Sequence, residues 1–440
     1  MSVFARQIKP WRIYLAVVVI GVIAELIGIR KIPFGIGTIL LLPLLYAFLM
    51  AALINPNVTR RFDWLIRRED TAAAPPLIGV ALMPFIAKLG TAVGPAIETI
   101  AKAGPALLLQ ELGNLGTILF AFPLGVWGLR MGREAIGATF SIAREVGLAV
   151  IDDRYGLKSA EGTGVMGVYV LGTLFGTFVF SILASGFVSV GGFDPRALAM
   201  ACGVGSGSMM AACAGVLNES MPRLQDEITA FAAASNFLTG KTGFYAALFI
   251  ALPVLERLYA VMVSPSTRGR REQERAIKLD SVAVETPAHK EKFGVFDSAL
   301  MLAILCCIGL IMNRVGHGIP LAEGVTGMAV LGLIAMVGVL LARFVPLHLP
   351  DIAWTSLVGI LVTLPWTPGS TWVVAQVKAV NFLTLTTPVL GFAGLALTRM
   401  EIDIAKQVGW KLAVVACFVF FGTYAGSVLV AQLVLHWQGN

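Results

Sequence analysis

The chain has 440 residues, of which 57% are hydrophobic and 13% charged, and it carries a net charge of +7 at neutral pH. A soluble domain has about 25% charged residues, so this composition excludes an ordinary soluble fold and indicates an all-α membrane protein, a polytopic helical bundle. The basic residues sit in short clusters between apolar segments, which fits the positive-inside rule better than a nucleic-acid surface.

The first apolar run, Ile13 to Ile29, follows Arg6, Lys9 and Arg12. It has the shape of a signal sequence but lacks a small-residue cleavage site, so it is expected to remain as the first helix with the N-terminus in the cytoplasm. A second span is expected from Pro33 to Leu53, then a cytoplasmic loop with Arg60, Arg61, Arg67 and Arg68. Two spans fit between Pro75 and Leu129. The first is interrupted by Pro84, Lys88, Gly90, Gly94 and Pro95 and reads as weak or broken. The second holds Gln110, Glu111 and Asn114 in its outer half. Glu134 to Ile151 reads as an in-plane amphipathic helix and Gly164 to Val190 as a long outward span.

A re-entrant hairpin is expected near 197–218, centred on GVGSGSMMAACAG, Gly203 to Gly215. Gly203, Gly205, Ser206, Gly207 and Ser208 abolish helix propensity where a membrane helix should continue. Such a break is tolerated only where protein or a watery cavity covers it. The helix after it is expected to begin near Asn236, Thr239, Lys241 and Thr242, with Lys241 either reaching the surface or meeting an anion. Ser264 to Phe293 is polar and charged in both signs, so 263–293 reads as a cytoplasmic linker between an N-terminal half, 1–262, and a C-terminal half, 294–440. The second half offers five spans, with a polar stripe of Asn381, Thr384, Thr386 and Thr387 ending at Pro388, read as a broken helix or a proline kink. The total is about ten to twelve spans. The tetrapeptide Asn-Phe-Leu-Thr occurs twice, at 236–239 and 381–384.

Enzyme signatures are weak. None of the four histidines belongs to an H-E-x-x-H helix, the serines near Gly205 form no G-x-S-x-G, and the pair Asp152-Asp153 reads as a helix-end loop. The five cysteines, Cys202, Cys213, Cys306, Cys307 and Cys417, lack C-x-x-C spacing and read as inert packing thiols. Oriented N–H groups at the glycine-serine break suit an anion and freed carbonyls suit Na⁺, against the alternative of close helix packing without a ligand. Glu111, with Asn114, is the best intramembrane carboxylate, either an ion-coupling site or a group at the outer interface.

The segment GVGSGSMMAACAG followed by AFAAASNFLTGKTGFYAALFIALP resembles an uncharacterised family of bacterial inner-membrane proteins over most of the chain. More distantly it is similar to the glutamate:sodium, 2-hydroxycarboxylate and lysine-exporter type secondary transporters. That likeness implies an inverted-repeat, elevator-type fold, with Gly203, Gly205, Ser206, Gly207 and Ser208 as the substrate loop and Asn236 on the next helix. The sequence lacks a second glycine-rich loop after the linker.

The expectation is an ion-coupled secondary transporter of a small organic anion or amino acid, binding through these residues together with Thr239, Asn381, Thr384 and Thr387. No cofactor or metal is expected beyond coupling Na⁺ or H⁺. The partners expected are the lipid bilayer and a small-molecule substrate, not nucleic acid, with a homodimer left open. The alternatives are an intramembrane enzyme using Asp152, Asp153 or Glu111, and a non-transporting scaffold.

Overall fold

The computed structural model describes residues 11–34, 37–140, 145–157, 159–263, 294–345, 350–399, 402 and 409–439. Among them, six helices are long and apolar enough to cross a membrane: Ala74–Val93, Gly104–Gly128, Ala160–Val190, Val295–His317, Leu321–Phe344 and Gly409–Trp437. A bent pair, Ser370–Lys378 and Phe382–Leu395, makes a seventh if it counts as one span. The chain is therefore an all-α polytopic bundle. The ten to twelve expected spans included segments that fold as shorter helices: Trp11–Ile27, Pro43–Ile54 and Asp351–Thr363. The linker expected over 263–293 lies, apart from Val263, outside the described residues.

Two expectations about the N-terminal region are corrected. Helix Trp11–Ile27 stops at Gly28, whose φ of +66° is the left-handed conformation that glycine adopts without a Cβ penalty. Arg30–Phe34 then pairs antiparallel with Gly37–Leu41 in a small hairpin, and a helix starts only at Pro43. The apolar run after Pro33 is thus a strand followed by a short helix, not one span. The segment around Pro84 is an uninterrupted helix, Ala74–Val93. Its Gly90 is a packing residue: an added Cβ would stand 2.6 Å from the Ser356 carbonyl oxygen and 3.1 Å from Cα of Gly359.

The chain divides into two compact units. The first comprises 1–102, 214–233 and 290–402, the second 103–213, 234–289 and 403–440. Neither follows the division at the linker, and the boundaries fall inside helices Gly207–Ser220 and Gln225–Ala246.

In the first unit, Asn55 is fully buried and its Nδ2 lies 2.8 Å from the Leu395 carbonyl and 3.0 Å from that of Leu397. It thereby caps the end of helix Phe382–Leu395, whose last carbonyls have no partner within the helix. In the second unit, Gly113 and Gly116 lie directly against the backbone of Gly422 and Gly426 on helix Gly409–Trp437. In lipid, helix association depends on such close backbone approach, because apolar surface gains little by leaving hydrocarbon.

Candidate functional site

In the second unit the glycine-serine stretch is a hairpin. Helix Pro195–Cys202 ends, residues 203–206 turn, and helix Gly207–Ser220 begins. Asp194 caps the first helix by accepting from the backbone N–H of Arg196 at 2.7 Å. Gly205 has no room for a side chain: a Cβ would stand 2.8 Å from Cβ of Met209 and 3.2 Å from Phe180. Ser206 Oγ lies 3.1 Å from Ser208 Oγ and accepts from the Met209 N–H at 3.4 Å, closing the start of the second helix.

The thiol reading fails for two cysteines. Cys202 and Cys213 form a disulfide, with Cα atoms 5.4 Å apart, across the base of the turn. Sequence spacing gave no hint of it because the hairpin, not the local chain, brings the two helices side by side. Replacing both by alanine is expected to cost about 2–3 kcal/mol through the freed loop, read as a lower thermal midpoint in detergent. An unchanged midpoint would show that the bridge constrains nothing.

The carbonyls of Gly203 and Gly205, candidate ion ligands in the sequence, each accept from Asn236 Nδ2 at 2.9 Å. Asn236 and Thr239 do not begin a helix as expected. They lie in the interior of helix Gln225–Ala246, and the side chain of Lys241 is outside what the structure describes.

One residue before Asn236, Ser235 joins the turn to the carboxylate. Its Oγ donates to the Met200 carbonyl at 2.7 Å and accepts from Gln110 Nε2 at 3.0 Å. Gln110 Nε2 also donates to Glu111 Oε1 at 2.9 Å, Asn114 Nδ2 donates to Glu111 Oε2 at 2.9 Å, and Thr239 Oγ1 donates to Oε1. Glu111 is 5% exposed and Gln110 fully buried, so the carboxylate is enclosed by protein. The amide nitrogens of Gln110 and Asn114 are spent on Glu111, and their oxygens, Oε1 and Oδ1, are buried without a hydrogen-bond partner. Buried orphan acceptors are costly and need an explanation. Glu111 thus shares a buried region with two amide oxygens that no protein group satisfies.

Asn381, Thr384 and Thr387 belong to the first unit. There the helix break predicted at Pro388 falls instead at 379–381: helices Ser370–Lys378 and Phe382–Leu395 meet at 64°, and Pro388 lies inside the second. Threonine hydroxyls bond the carbonyls at the start of this helix, Thr386 Oγ1 donating to Leu383 O at 2.6 Å and Thr384 Oγ1 to Asn381 O at 2.9 Å. Three side chains that the sequence did not connect with this region lie at or near the break. Asn313 donates to the Ala379 carbonyl and accepts from the Asn381 N–H, both at 2.9 Å. Lys88 Nζ donates to the Val377 carbonyl at 2.6 Å, at the negative end of the first helix. Glu25 accepts from Thr387 Oγ1 at 2.6 Å.

A further cluster in the second unit was also missed. Arg133 Nη2 donates to Glu256 Oε1 at 2.6 Å, Arg133 Nε pairs with Glu161, and the Tyr155 hydroxyl donates to Glu256 at 2.7 Å. Burial, followed by the hydrogen bond to Glu256, pushes the Tyr155 phenol up to about 12. Burial opposes the charge on Arg133, but its hydrogen bonds to Glu256 and Glu161 outweigh it and raise its pKa. Asp152 and Asp153 are exposed in the last turn of helix Glu145–Tyr155, within the helix rather than in the loop expected after it.

A bundle of apolar helices with a disulfide-clasped hairpin and buried carboxylates defines a multi-pass membrane protein. The chain belongs to the family described as "Protein of unknown function (DUF3100)", whose match covers residues 22–261, more than half of its length. No curated protein and no solved structure matched the chain. These comparisons name no transporter family.

Proposed function

We propose that the protein is a cation-coupled secondary transporter of a small organic anion or amino acid, that it sits in the bacterial inner membrane with its N-terminus in the cytoplasm, and that it catalyses no chemical reaction. The observation that carries this reading is the second unit's polar network, in which the adjacent Asn236 and Ser235 bond carbonyls of the hairpin and Ser235 connects through Gln110 to Glu111. Intramembrane carboxylates are expensive and mark ion or proton pathways. The two orphan amide oxygens beside Glu111 add ligands of the kind a coupling cation takes. Helix breaks at membrane depth are the usual place for substrate and ion together. In this reading Ser206, Ser208 and the N–H groups of the turn meet the substrate, Glu111 and Asn114 hold the ion, and Ser235 links the two.

The test is flux. Purified protein in liposomes is given labelled carboxylates and amino acids, with and without an imposed Na⁺ or H⁺ gradient. Gradient-driven accumulation of at least one class is expected, and Glu111→Gln should abolish accumulation while the variant still folds. Gly205→Leu should remove flux as well, since its side chain would press on Met209 and Phe180. If no compound class moves in response to either gradient, the proposal fails.

A further inference from the structure

Within the first unit, helix Trp11–Ile27 places one carboxylate, Glu25, on its buried face, where it is 6% exposed. Thr387 is its single hydrogen-bond donor among the described residues. The rest of the carboxyl lies against Gly316, on helix Val295–His317, where only the missing side chain leaves room: a Cβ there would stand 3.0 Å from Glu25 Cδ and 3.4 Å from Thr384 Cγ2. Thr384 and Thr387 are one turn apart on their helix, as are Asn313 and Gly316 on theirs, so each pair shares a face. The four residues and Glu25 form one cluster beside the break at 379–381.

The polar groups around this carboxyl are already committed elsewhere. Asn313 Oδ1 accepts from the Asn381 N–H and from Thr384 Oγ1, the latter at 3.4 Å, and its amide serves the Ala379 carbonyl. Of the charged or titratable groups on the elements packed against helix Trp11–Ile27, Arg314 donates to the Gly318 carbonyl at 2.6 Å and Tyr46 to that of Leu41 at 3.4 Å. Asp70 accepts from the Arg67 N–H at 3.1 Å. His317, Asp297, Cys306, Cys307, Arg68 and Glu69 on those elements, and Arg12 and Tyr14 on the helix itself, make no ion pair or hydrogen bond with Glu25 among the described residues, and helix Phe382–Leu395 brings no ionisable group. Lys88 is spent on the Val377 carbonyl.

An isolated carboxylate in apolar surroundings is far too costly to persist without a compensating ligand. A hard metal cation takes about six oxygen ligands, more than one carboxyl and two threonine hydroxyls provide. We propose that Glu25 is a proton-binding site, so that the chain carries two exchangeable carboxyls, one in each unit. The two carboxyls have similar surroundings: Glu111 accepts from Thr239, within one copy of Asn-Phe-Leu-Thr, and Glu25 from Thr387, three residues past the other copy, while Asn236 and Asn313 each bond backbone carbonyl oxygen at a helix break.

The test is infrared difference spectroscopy of the purified full chain in detergent, taken between alkaline and acid pH. A protonated-carboxyl C=O band is expected to appear on acidification, to survive in Glu111→Gln and to vanish in Glu25→Gln. Thr387→Val, which removes the single donor but keeps the shape, should shift that band to higher frequency. Gly316→Ala should shift it too, because the new methyl displaces the carboxyl. A Glu25→Gln spectrum identical to wild type overturns the proposal. If Glu25→Gln does not fold, an unshifted band in Thr387→Val overturns it equally. Neither readout depends on transport, so a chain that moves no solute could still show the band.

Discussion

Gly116→Leu is expected to remove the folded protein from detergent extracts. Gly116 has no space for even a methyl group: its Cβ would fall on the carbonyl of Gly422, and across the same contact a Cβ on Gly422 would stand 2.7 Å from the Gly116 carbonyl oxygen. The obstruction on both sides is backbone, which cannot turn away as a side chain can. Overpacking a well-filled core costs about 1–3 kcal/mol and sometimes more, and here Gly113 and Gly426 repeat the same contact one turn away. A cost at the upper end or beyond, about 3 kcal/mol or more, is a large part of a domain's total stability. Gly186→Leu is the matched control, since nothing lies within 4 Å of its added Cβ and helix propensity favours the change. Size-exclusion chromatography and thermal unfolding of the two variants should separate them sharply. A monodisperse Gly116→Leu with the wild-type midpoint would mean that the two helices do not meet through these glycines.

What the sequence disclosed, it disclosed through local chemistry. Five glycines and serines within six positions cannot continue a helix, so the hairpin after Cys202 was legible. Glu111, flanked by Gln110 and Asn114 in an apolar run, was legible for the same reason. The features that escaped are those whose cause lies far along the chain. The break at 379–381 contains neither glycine nor proline, and it holds because Asn313 and Lys88 bond the ends that it exposes. Pro388 gave the louder signal and yet sits in a continuous helix. Glu25, two residues from the end of its helix, drew no reading from the sequence. Only its contacts with Thr387 and Gly316, more than 290 residues away, show it to be interior. The Asn-Phe-Leu-Thr echo marks two helices that each supply a threonine to a buried carboxyl, from within the first copy, Thr239, and from three residues past the second, Thr387.

Arg133→Met carries the second large expected effect. Arg133 lies between Glu161, which is 4% exposed, and Glu256, whose Oε1 and Oε2 are 2.6 and 3.3 Å from its two terminal nitrogens. Its guanidinium also stands 5.9 Å from the Tyr155 ring and 5.8 Å from that of Tyr259. Removing one member of such a cluster leaves an uncompensated buried charge, a loss of about 3–5 kcal/mol, whereas replacing all members by neutral groups of similar shape is often nearly neutral. Arg133→Met alone should therefore lower the thermal midpoint strongly, and Arg133→Met combined with Glu161→Gln and Glu256→Gln should recover most of it. The pH dependence has a definite sign. The Tyr155 phenol is raised from 10.0 to about 12, first by burial and then by its bond to Glu256, so the protonated ring stabilises the fold below pH 10 and that contribution fades as pH climbs towards 12. Tyr155→Phe should flatten this alkaline limb. If the single and triple variants melt alike, the glutamates are solvated and the arginine does not anchor the three segments that it touches.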